Sequence, residues 1–308
     1  MKPPTCAPLK NGDIVELIVP SSGLSVDDME KSKAKLQDWG LVPRLRRNYW
    51  NPDGLYSGSD QERFEELWNA IEAKDSKAIW CVRGGSGASR LLNSLSTQAC
   101  PDYPKVFIGF SDATCLELFL AEKWGWKPIH GPNLSQIASK SVDSTSIDCL
   151  KDLLFGSSDQ INLDDLNPIN DVSHYNPNTS NIIGGNLSLV QASIGTFWQP
   201  KSSNRVLFLE DVGLRPYQIV EKLDHLHQAG LLNQLETIVL GTFTIPAEYG
   251  TELCLLEKAL FDFACRVKTP VFRTSQIGHG ERNVAIPNGG MCKLSRSSSK
   301  WRMSVCSE

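Results

Sequence analysis

The sequence predicts an α/β fold built on a parallel sheet. Short apolar runs alternate with longer segments that place their apolar residues on one helical face. Strands that alternate with helices form parallel sheets, which carry functional groups at the carboxyl ends of their strands. Because 308 residues exceed a typical single domain, we expect two domains, although one large α/β domain would also fit.

The first half of the chain supplies most of this alternation. Its clearest helix begins with a capping box formed by Ser59 and Glu62. The predicted order is strand 14–19, turn 20–23, helix 25–39, helix 59–73, strand 78–82, helix 88–95, strand 106–110 and helix 112–124.

A change of composition marks the predicted domain boundary. Residues 156–181 are rich in Ser, Asp, Asn and Pro, and we interpret them as a linker between domains 1–155 and 182–308. The second half is predicted as strand 206–209, helix 216–229, strand 237–240, helix 252–265, a strand near Val271 and, last, small antiparallel strands at 284–286, 291–295 and 301–305.

Composition and charge exclude several classes of protein. A net charge of −4 gives no basic surface for nucleic acid, so we expect a small ligand. No apolar run has the roughly 20 residues that span a bilayer, and residues 1–13 contain no apolar core of a secretory signal. We therefore expect a soluble cytoplasmic protein. The nine cysteines contain no CxxC pair, which predicts buried free thiols rather than disulfides or a zinc site.

Ser111 is the first candidate catalytic residue. It follows a predicted buried strand and precedes a helix, in Gly109-Phe110-Ser111-Asp112-Ala113. Such a sharp turn can expose a nucleophilic serine and direct the next backbone N–H toward an oxyanion. A serine at the start of a helix is more often an N-cap, and Asp112 could either hold the turn or cap the helix.

A second predicted strand ends in a glycine-rich loop, Arg83-Gly84-Gly85-Ser86-Gly87. Glycines let backbone amides approach an anion closely, so this loop could complete an oxyanion hole. A plain turn or a phosphate cradle would also fit, although neither the P-loop nor the dinucleotide pattern is present.

The acid and the base come from the second half. Glu210 ends the apolar run 206–209, and His279 lies between two glycines. An exposed acid and a solvated histidine are the ordinary alternatives, but the order Ser, acid, His is one that catalytic triads use. His130 is a rival base because only one helix separates it from Ser111.

These segments together resemble the LD-carboxypeptidase family of serine peptidases, which includes the microcin C immunity peptidases. The resemblance covers almost the whole chain and is carried by Gly12-Asp13 with Pro20-Ser21-Ser22, Arg83-Gly84-Gly85, Gly109-Phe110-Ser111-Asp112, His130-Gly131-Pro132, Gly184-Gly185-Asn186-Leu187, Leu209-Glu210-Asp211 and Gly278-His279.

The resemblance implies a flavodoxin-like N-terminal domain, a smaller C-terminal α/β domain and often a homodimer. It implies Ser111 as nucleophile, Glu210 as acid and His279 as base, with the amides of Gly85 and Asp112 as oxyanion hole. The implied substrate is a murein tetrapeptide that loses its terminal D-alanine during peptidoglycan recycling, with no metal or organic cofactor. We expect Arg83 and Gly84 to bind the substrate carboxylate.

Two alternatives stay open at this stage. A hydrolase of aminoacyl-nucleotide antibiotics would stack an aromatic side chain, such as Trp198 or Tyr217, on the base. A non-catalytic binding protein of the same fold would carry a broken triad. Ser86 replaces the tyrosine that commonly follows the paired glycines in the family, which affects the expected specificity more than the triad.

Overall fold

A computed structural model describes residues 7–48, 50–52, 54–246, 253–298 and 300–306. Residues 1–6, part of the segment predicted to carry no secretory signal, lie outside this description. So do residue 252, the first of a predicted helix, and Ser299 in the predicted serine-rich turn.

The described chain alternates strands and helices, as predicted. The strands are β1 (Ile14–Ile18), β2 (Val42–Leu45), β3 (Ser76–Cys81), β4 (Val106–Gly109), β5 (Ile129–His130), β6 (Gln160–Pro168), β7 (Ser180–Asn186), β8 (Arg205–Val212), β9 (Thr237–Thr244), β10 (Val271–Gly278), β11 (Ile286–Pro287), β12 (Met291–Ser297) and β13 (Lys300–Cys306). The helices are α1 (Val26–Asp38), α2 (Asp60–Glu72), α3 (Leu92–Ser96), α4 (Thr114–Trp124), α5 (Leu134–Ala138), α6 (Ser144–Phe155), α7 (Leu187–Ala192), α8 (Pro216–Gln228) and α9 (Leu253–Arg266).

The first sheet has the order β11-β5-β4-β3-β1-β2. Strands β2, β1, β3, β4 and β5 are parallel, which confirms the predicted α/β class and gives the strand order of flavodoxin-type sheets. The edge strand β11 runs antiparallel to β5 and pairs Ile286 with His130. A segment from the C-terminal half therefore completes the N-terminal sheet.

The second sheet closes on itself in the order β10-β6-β13-β12-β7-β8-β9. Strands β7 to β10 are parallel neighbours, whereas β6, β12 and β13 are antiparallel. The antiparallel pairing predicted for the chain's end is confirmed for β12 and β13, but β11 belongs to the other sheet.

The interpretation of residues 156–181 as a linker is wrong for its longest stretch. Strand β6 occupies nine of these residues and pairs with β13 and β10. Its buried side chains Ile161, Leu163 and Leu166 are single apolar residues among Asp and Asn, so the composition concealed a half-buried strand. The predicted domain limits stay a prediction.

Only some of the described cysteines are buried. Cys81, Cys115 and Cys292 are buried, as predicted, whereas Cys100 and Cys254 are exposed. Within the described ranges, no helix is both long enough and apolar enough to cross a bilayer.

Candidate active site

Ser111 lies in a strained turn between β4 and α4. Its φ is +61°, a left-handed conformation that is uncommon for a residue with a side chain. Phe110, not Ser111, is the residue that precedes the short 3-10 turn 111–113, and no side chain caps this turn. The structure therefore has the predicted strand-turn-helix junction and not the alternative of an N-cap serine.

Asp112 fastens this turn to two neighbouring loops. Its Oδ2 accepts hydrogen bonds from the Ser21 hydroxyl (2.7 Å) and from the Ala88 amide (2.8 Å). Burial raises the pKa of the Asp112 carboxyl more than these hydrogen bonds lower it. Of the two alternatives for Asp112, holding the turn is the one that these hydrogen bonds support, because one oxygen joins the segments after β1, β3 and β4.

Replacing Asp112 by alanine should destabilise the protein by about 2–4 kcal/mol, because two buried donors lose their acceptor. Asparagine should cost about 1 kcal/mol, since its single carbonyl oxygen can accept both hydrogen bonds. Urea unfolding measures both values, with the exposed Asp148→Ala on α6 as control, expected within about 0.5 kcal/mol of the native protein. Equal costs for the two Asp112 variants would contradict this assignment.

The glycine-rich loop after β3 packs directly against Ser111. A Cβ on Gly84 would lie 3.0 Å from Ser111 Cβ and 3.3 Å from its Oγ. Gly85 has a φ of +117°, and a Cβ there would lie 2.2 Å from Ser22 Oγ. Glycine therefore allows the loop backbone to approach Ser111 at position 84 and Ser22 at position 85.

Arg63 on α2 binds the backbone of the same loop. This arginine is fully buried, and its Nη1 donates to the carbonyl oxygens of Gly87 (2.8 Å) and Pro20. Because the guanidinium is buried and donates to backbone oxygens, it stabilises the loop and is not exposed to bind substrate. Sequence reasoning missed this role, since Arg63 looks like one polar residue of an amphipathic helix.

The predicted substrate-binding residues differ in accessibility. Arg83 is exposed, and its Nη1 donates to the Gly23 carbonyl oxygen (2.6 Å). Gly84 is buried against Ser111. Gly84 thus places a backbone segment next to the serine turn, whereas the accessible guanidinium of Arg83 contacts the backbone at Gly23.

Glu210 and His279 form the second part of the site. His279 Nδ1 lies 2.5 Å from Glu210 Oε2, a short hydrogen bond of the kind that a carboxylate acceptor favours. Glu210 is fully buried within β8. Gly278 makes this possible, because its φ is +119° and a Cβ there would lie 2.9 Å from Glu210 Cβ. The alternative of an exposed acid at a strand end is therefore wrong.

The His279 ring packs against the residue before Ser111. The ring centroids of His279 and Phe110 are 4.4 Å apart, and the histidine side chain is only 14% exposed. A freely solvated loop histidine is thus excluded. The packing brings the carboxylate-bound imidazole from the second half of the chain to the serine turn of the first half.

The rival base His130 has a different place. It is fully buried, with Nδ1 2.9 Å from Glu117 Oε2 and Nε2 3.8 Å from Glu210 Oε1. Both ring nitrogens thus face carboxylates. His130 faces the other oxygen of Glu210 from the one that His279 contacts, so the two histidines occupy different positions around this acid.

Sequence reasoning missed three polar residues in this region. Glu117, Asn133 and Asn288 are all buried. Glu117 is the one acid in the apolar run 114–120, a visible signal, and Asn133 directly follows the His130-Gly131-Pro132 segment. Asn288 gave no comparable signal, because its partner Glu117 lies 171 positions away.

A serine on a strained turn beside a carboxylate-bound imidazole is the arrangement that serine hydrolases use. Residues 15–131 match the LD-carboxypeptidase N-terminal domain, and residues 179–294 match the LD-carboxypeptidase C-terminal domain. This chain belongs to the LD-carboxypeptidase family.

Relatives of known name support this assignment. A putative carboxypeptidase of Rickettsia conorii is 37% identical over 78% of this chain and 75% of its own length. The murein tetrapeptide carboxypeptidase of Pseudomonas aeruginosa is 29% identical over 93% of this chain and 94% of its own.

Solved structures share the whole fold. Muramoyltetrapeptide carboxypeptidase from Oxalobacter formigenes matches with a TM-score of 0.80 and 22% identity, over 95% of this chain and 98% of its own. An MccF-like protein from Bacillus anthracis matches with a TM-score of 0.85 and 22% identity, over 98% of both chains.

Proposed function

We propose that this chain is a serine carboxypeptidase that removes the terminal D-alanine from murein tetrapeptides. The observation that carries the proposal is the Glu210–His279 pair at 2.5 Å, packed through Phe110 against the Ser111 turn. Family membership and the murein peptidases among the relatives support the choice of substrate.

In the proposed reaction, Ser111 Oγ attacks the carbonyl carbon that precedes D-alanine while His279 takes the hydroxyl proton. Glu210 holds the imidazole by Nδ1, so that Nε2 is the nitrogen that accepts this proton. The tetrahedral intermediate collapses to an acyl-enzyme, and the proton moves from His279 to the departing amine. Water then attacks the ester carbonyl while His279 takes its proton. The bond to Ser111 Oγ breaks, the proton passes from His279 to Oγ, and the tripeptide leaves.

The surroundings of Ser111 fit this chemistry. The amides of Gly85 and Asp112 are the proposed oxyanion donors, because the loop and the helix start both adjoin the serine. The exposed Arg83 is the proposed partner of the free carboxylate that marks a carboxypeptidase substrate. The L-configured diaminopimelate centre that carries the D-alanine belongs to the same proposal.

The physiological setting is part of the proposal. Peptidoglycan recycling in the cytoplasm supplies free murein tetrapeptides, and the resemblance implies that the enzyme works as a homodimer. Both statements stay predictions.

The test is incubation of the purified protein with a murein tetrapeptide that ends in D-alanine. We expect release of D-alanine and tripeptide, measured by mass spectrometry, and no release from the otherwise identical peptide that ends in L-alanine. The chirality control separates this activity from a general carboxypeptidase. Absence of release from both peptides would contradict the proposed substrate.

The same assay includes an aminoacyl-sulfamoyl adenosine, because hydrolysis of aminoacyl nucleotides is the alternative. Of the two aromatic residues suggested for base stacking, Trp198 lies in the hydrophobic core and Tyr217 is exposed on α8. The burial of Trp198 removes one of these candidates, which favours the murein peptide. Cleavage of the nucleotide compound alone would reverse this choice.

A further inference from the structure

A second carboxylate–imidazole pair lies behind Glu210. Glu117 Oε2 lies 2.9 Å from His130 Nδ1, and His130 Nε2 lies 3.8 Å from Glu210 Oε1. All three side chains are fully buried. Together with His279, they form a line of alternating acid and imidazole that ends next to the serine turn.

Two polar atoms in this line face each other without a hydrogen bond. Within the described residues, His130 Nε2 and Glu210 Oε1 are buried and have no hydrogen-bond partner. The other oxygen of Glu210 is engaged by His279. A buried carboxylate oxygen without a donor is costly, and a shift of about 1 Å would bring the two atoms to hydrogen-bond distance.

We propose that His130 is a positioning residue, which holds Glu210 by the oxygen that His279 does not use and is itself held by Glu117. The proposal rests on the proposed function, in which Glu210 orients His279. In this arrangement each oxygen of Glu210 has an imidazole next to it. The carboxylate therefore keeps one orientation while His279 gains and loses a proton.

The surroundings of His130 restrict its movement. Its ring lies between Phe110 and Phe208, at centroid distances of 5.0 and 5.2 Å. A Cβ on Gly185 would lie 3.1 Å from His130 Cε1. A ring enclosed in this way can transmit the position of Glu117 to Glu210.

Glu117 is fixed in turn by Asn288, which follows β11. Asn288 Nδ2 donates to Glu117 Oε2 (3.0 Å), and Asn288 Oδ1 accepts from the Gly184 amide (2.9 Å). The hydrogen bonds therefore run from β7 through Asn288 to α4, and from there to His130. The step from Asn288 to Glu117 joins the two halves of the chain.

The charges support the same role. Burial alone would lower the pKa of His130, but the charge and hydrogen bond of Glu117 and the charge of Glu210 raise it. Burial raises the pKa of Glu117, and the charge and hydrogen bond of His130 only partly oppose this. The charged groups that face His130 are Glu117 from α4 and Glu210 from β8, so a proton retained there lies between two carboxylates.

The test measures reaction of Ser111 with a fluorophosphonate probe, which forms a bond from Oγ to phosphorus and expels fluoride, with the hydroxyl proton passing to His279. We expect His130→Gln to lower the second-order rate at least about tenfold and to move its acid limb to higher pH. Loss of the imidazole leaves unbalanced carboxylate charge that favours protonated, inactive His279.

Glu117→Gln should also lower the rate, because His130 loses the carboxylate that holds its Nδ1. This variant keeps the proposal testable if His130→Gln does not fold. The matched control is His225→Gln, at an exposed histidine on α8, expected to leave rate and pH profile unchanged.

The outcomes separate this inference from the proposed function. A folded His130→Gln protein with native rate and pH profile would overturn the positioning role, and so would a lower rate with an unmoved acid limb. A native protein that reacts with the probe but releases no D-alanine would overturn the proposed substrate and leave the test of His130 intact.

Discussion

Ser111→Ala is expected to lower D-alanine release by about 10³-fold or more, to the level supported by binding and the oxyanion donors alone. His279→Ala should have an effect of similar size, because the serine hydroxyl then has no base. Glu210→Gln should cost about 10²–10⁴-fold, since a glutamine carries no charge and can turn its NH₂ group toward His279 Nδ1, which favours the wrong imidazole tautomer.

The double variant Ser111→Ala/His279→Ala distinguishes a triad from three independent residues. Residues that act as a unit are strongly non-additive, so the double variant should be scarcely slower than Ser111→Ala. Initial rates with murein tetrapeptide measure this. The control is Ser96→Ala at the exposed end of α3, which should keep native turnover. Multiplicative losses in the double variant would show that the two residues do not work in one step.

The second large effect is expected at Gly184, where β7 pairs with β8. Its φ is +153°, and a Cβ there would lie 1.9 Å from the Phe208 carbonyl oxygen. The obstructing atom belongs to the paired backbone, so it cannot move without breaking the sheet. We therefore expect Gly184→Ala to lower the free energy of unfolding by about 3 kcal/mol or more.

Gly195→Ala is the matched control, because it also has a positive φ (+78°) but no atom within 4 Å of the added Cβ. It should cost about 1–2 kcal/mol, the strain of a left-handed residue without a collision. Urea unfolding measures both variants. Similar values would show that conformational strain, and not the contact with Phe208, makes glycine necessary at position 184.

Strands β1, β3 and β4 of the first sheet were predictable because their signals are local. A parallel sheet covered on both faces needs continuous apolar strands, and this holds for β4 and for β3 from Ala78 onward. The capping box of α2 is present, with Ser59 Oγ accepting from the Glu62 amide. Each signal fits within one turn of helix or one strand, so the sequence was sufficient.

The unpredicted elements have weaker patterns. Strand β2 contains a proline and is only partly buried, and β6 is largely polar. Helix α6 carries local signals that we did not use, namely the N-cap Asp143 and Gly156 at its end with a φ of +74°. The pairing of β11 with β5 had no local signal, because two residues depend on a partner far away in the sequence.

The candidate site likewise contains residues with local sequence signals and residues without them. Ser111, Glu210 and His279 could be proposed from strand ends, glycines and chain order, and the structure brings Glu210 to His279 and His279 to Phe110. The buried pair Glu117–His130 depends on a contact between α4 and β5 that no local pattern encodes. The role of Asp112 was one of two alternatives until its partners Ser21 and Ala88 were seen.

The pairing of β11 with β5 also has a consequence for biosynthesis. A ribosome makes the chain from the N-terminus, so β5 is synthesised long before the edge strand that covers it. Until Ile286 emerges, the edge of the first sheet at His130 has no strand to pair with. The edge of the first sheet therefore stays unpaired until most of the C-terminal half has been made, and a chain that stops before Ile286 would lack the strand that covers His130.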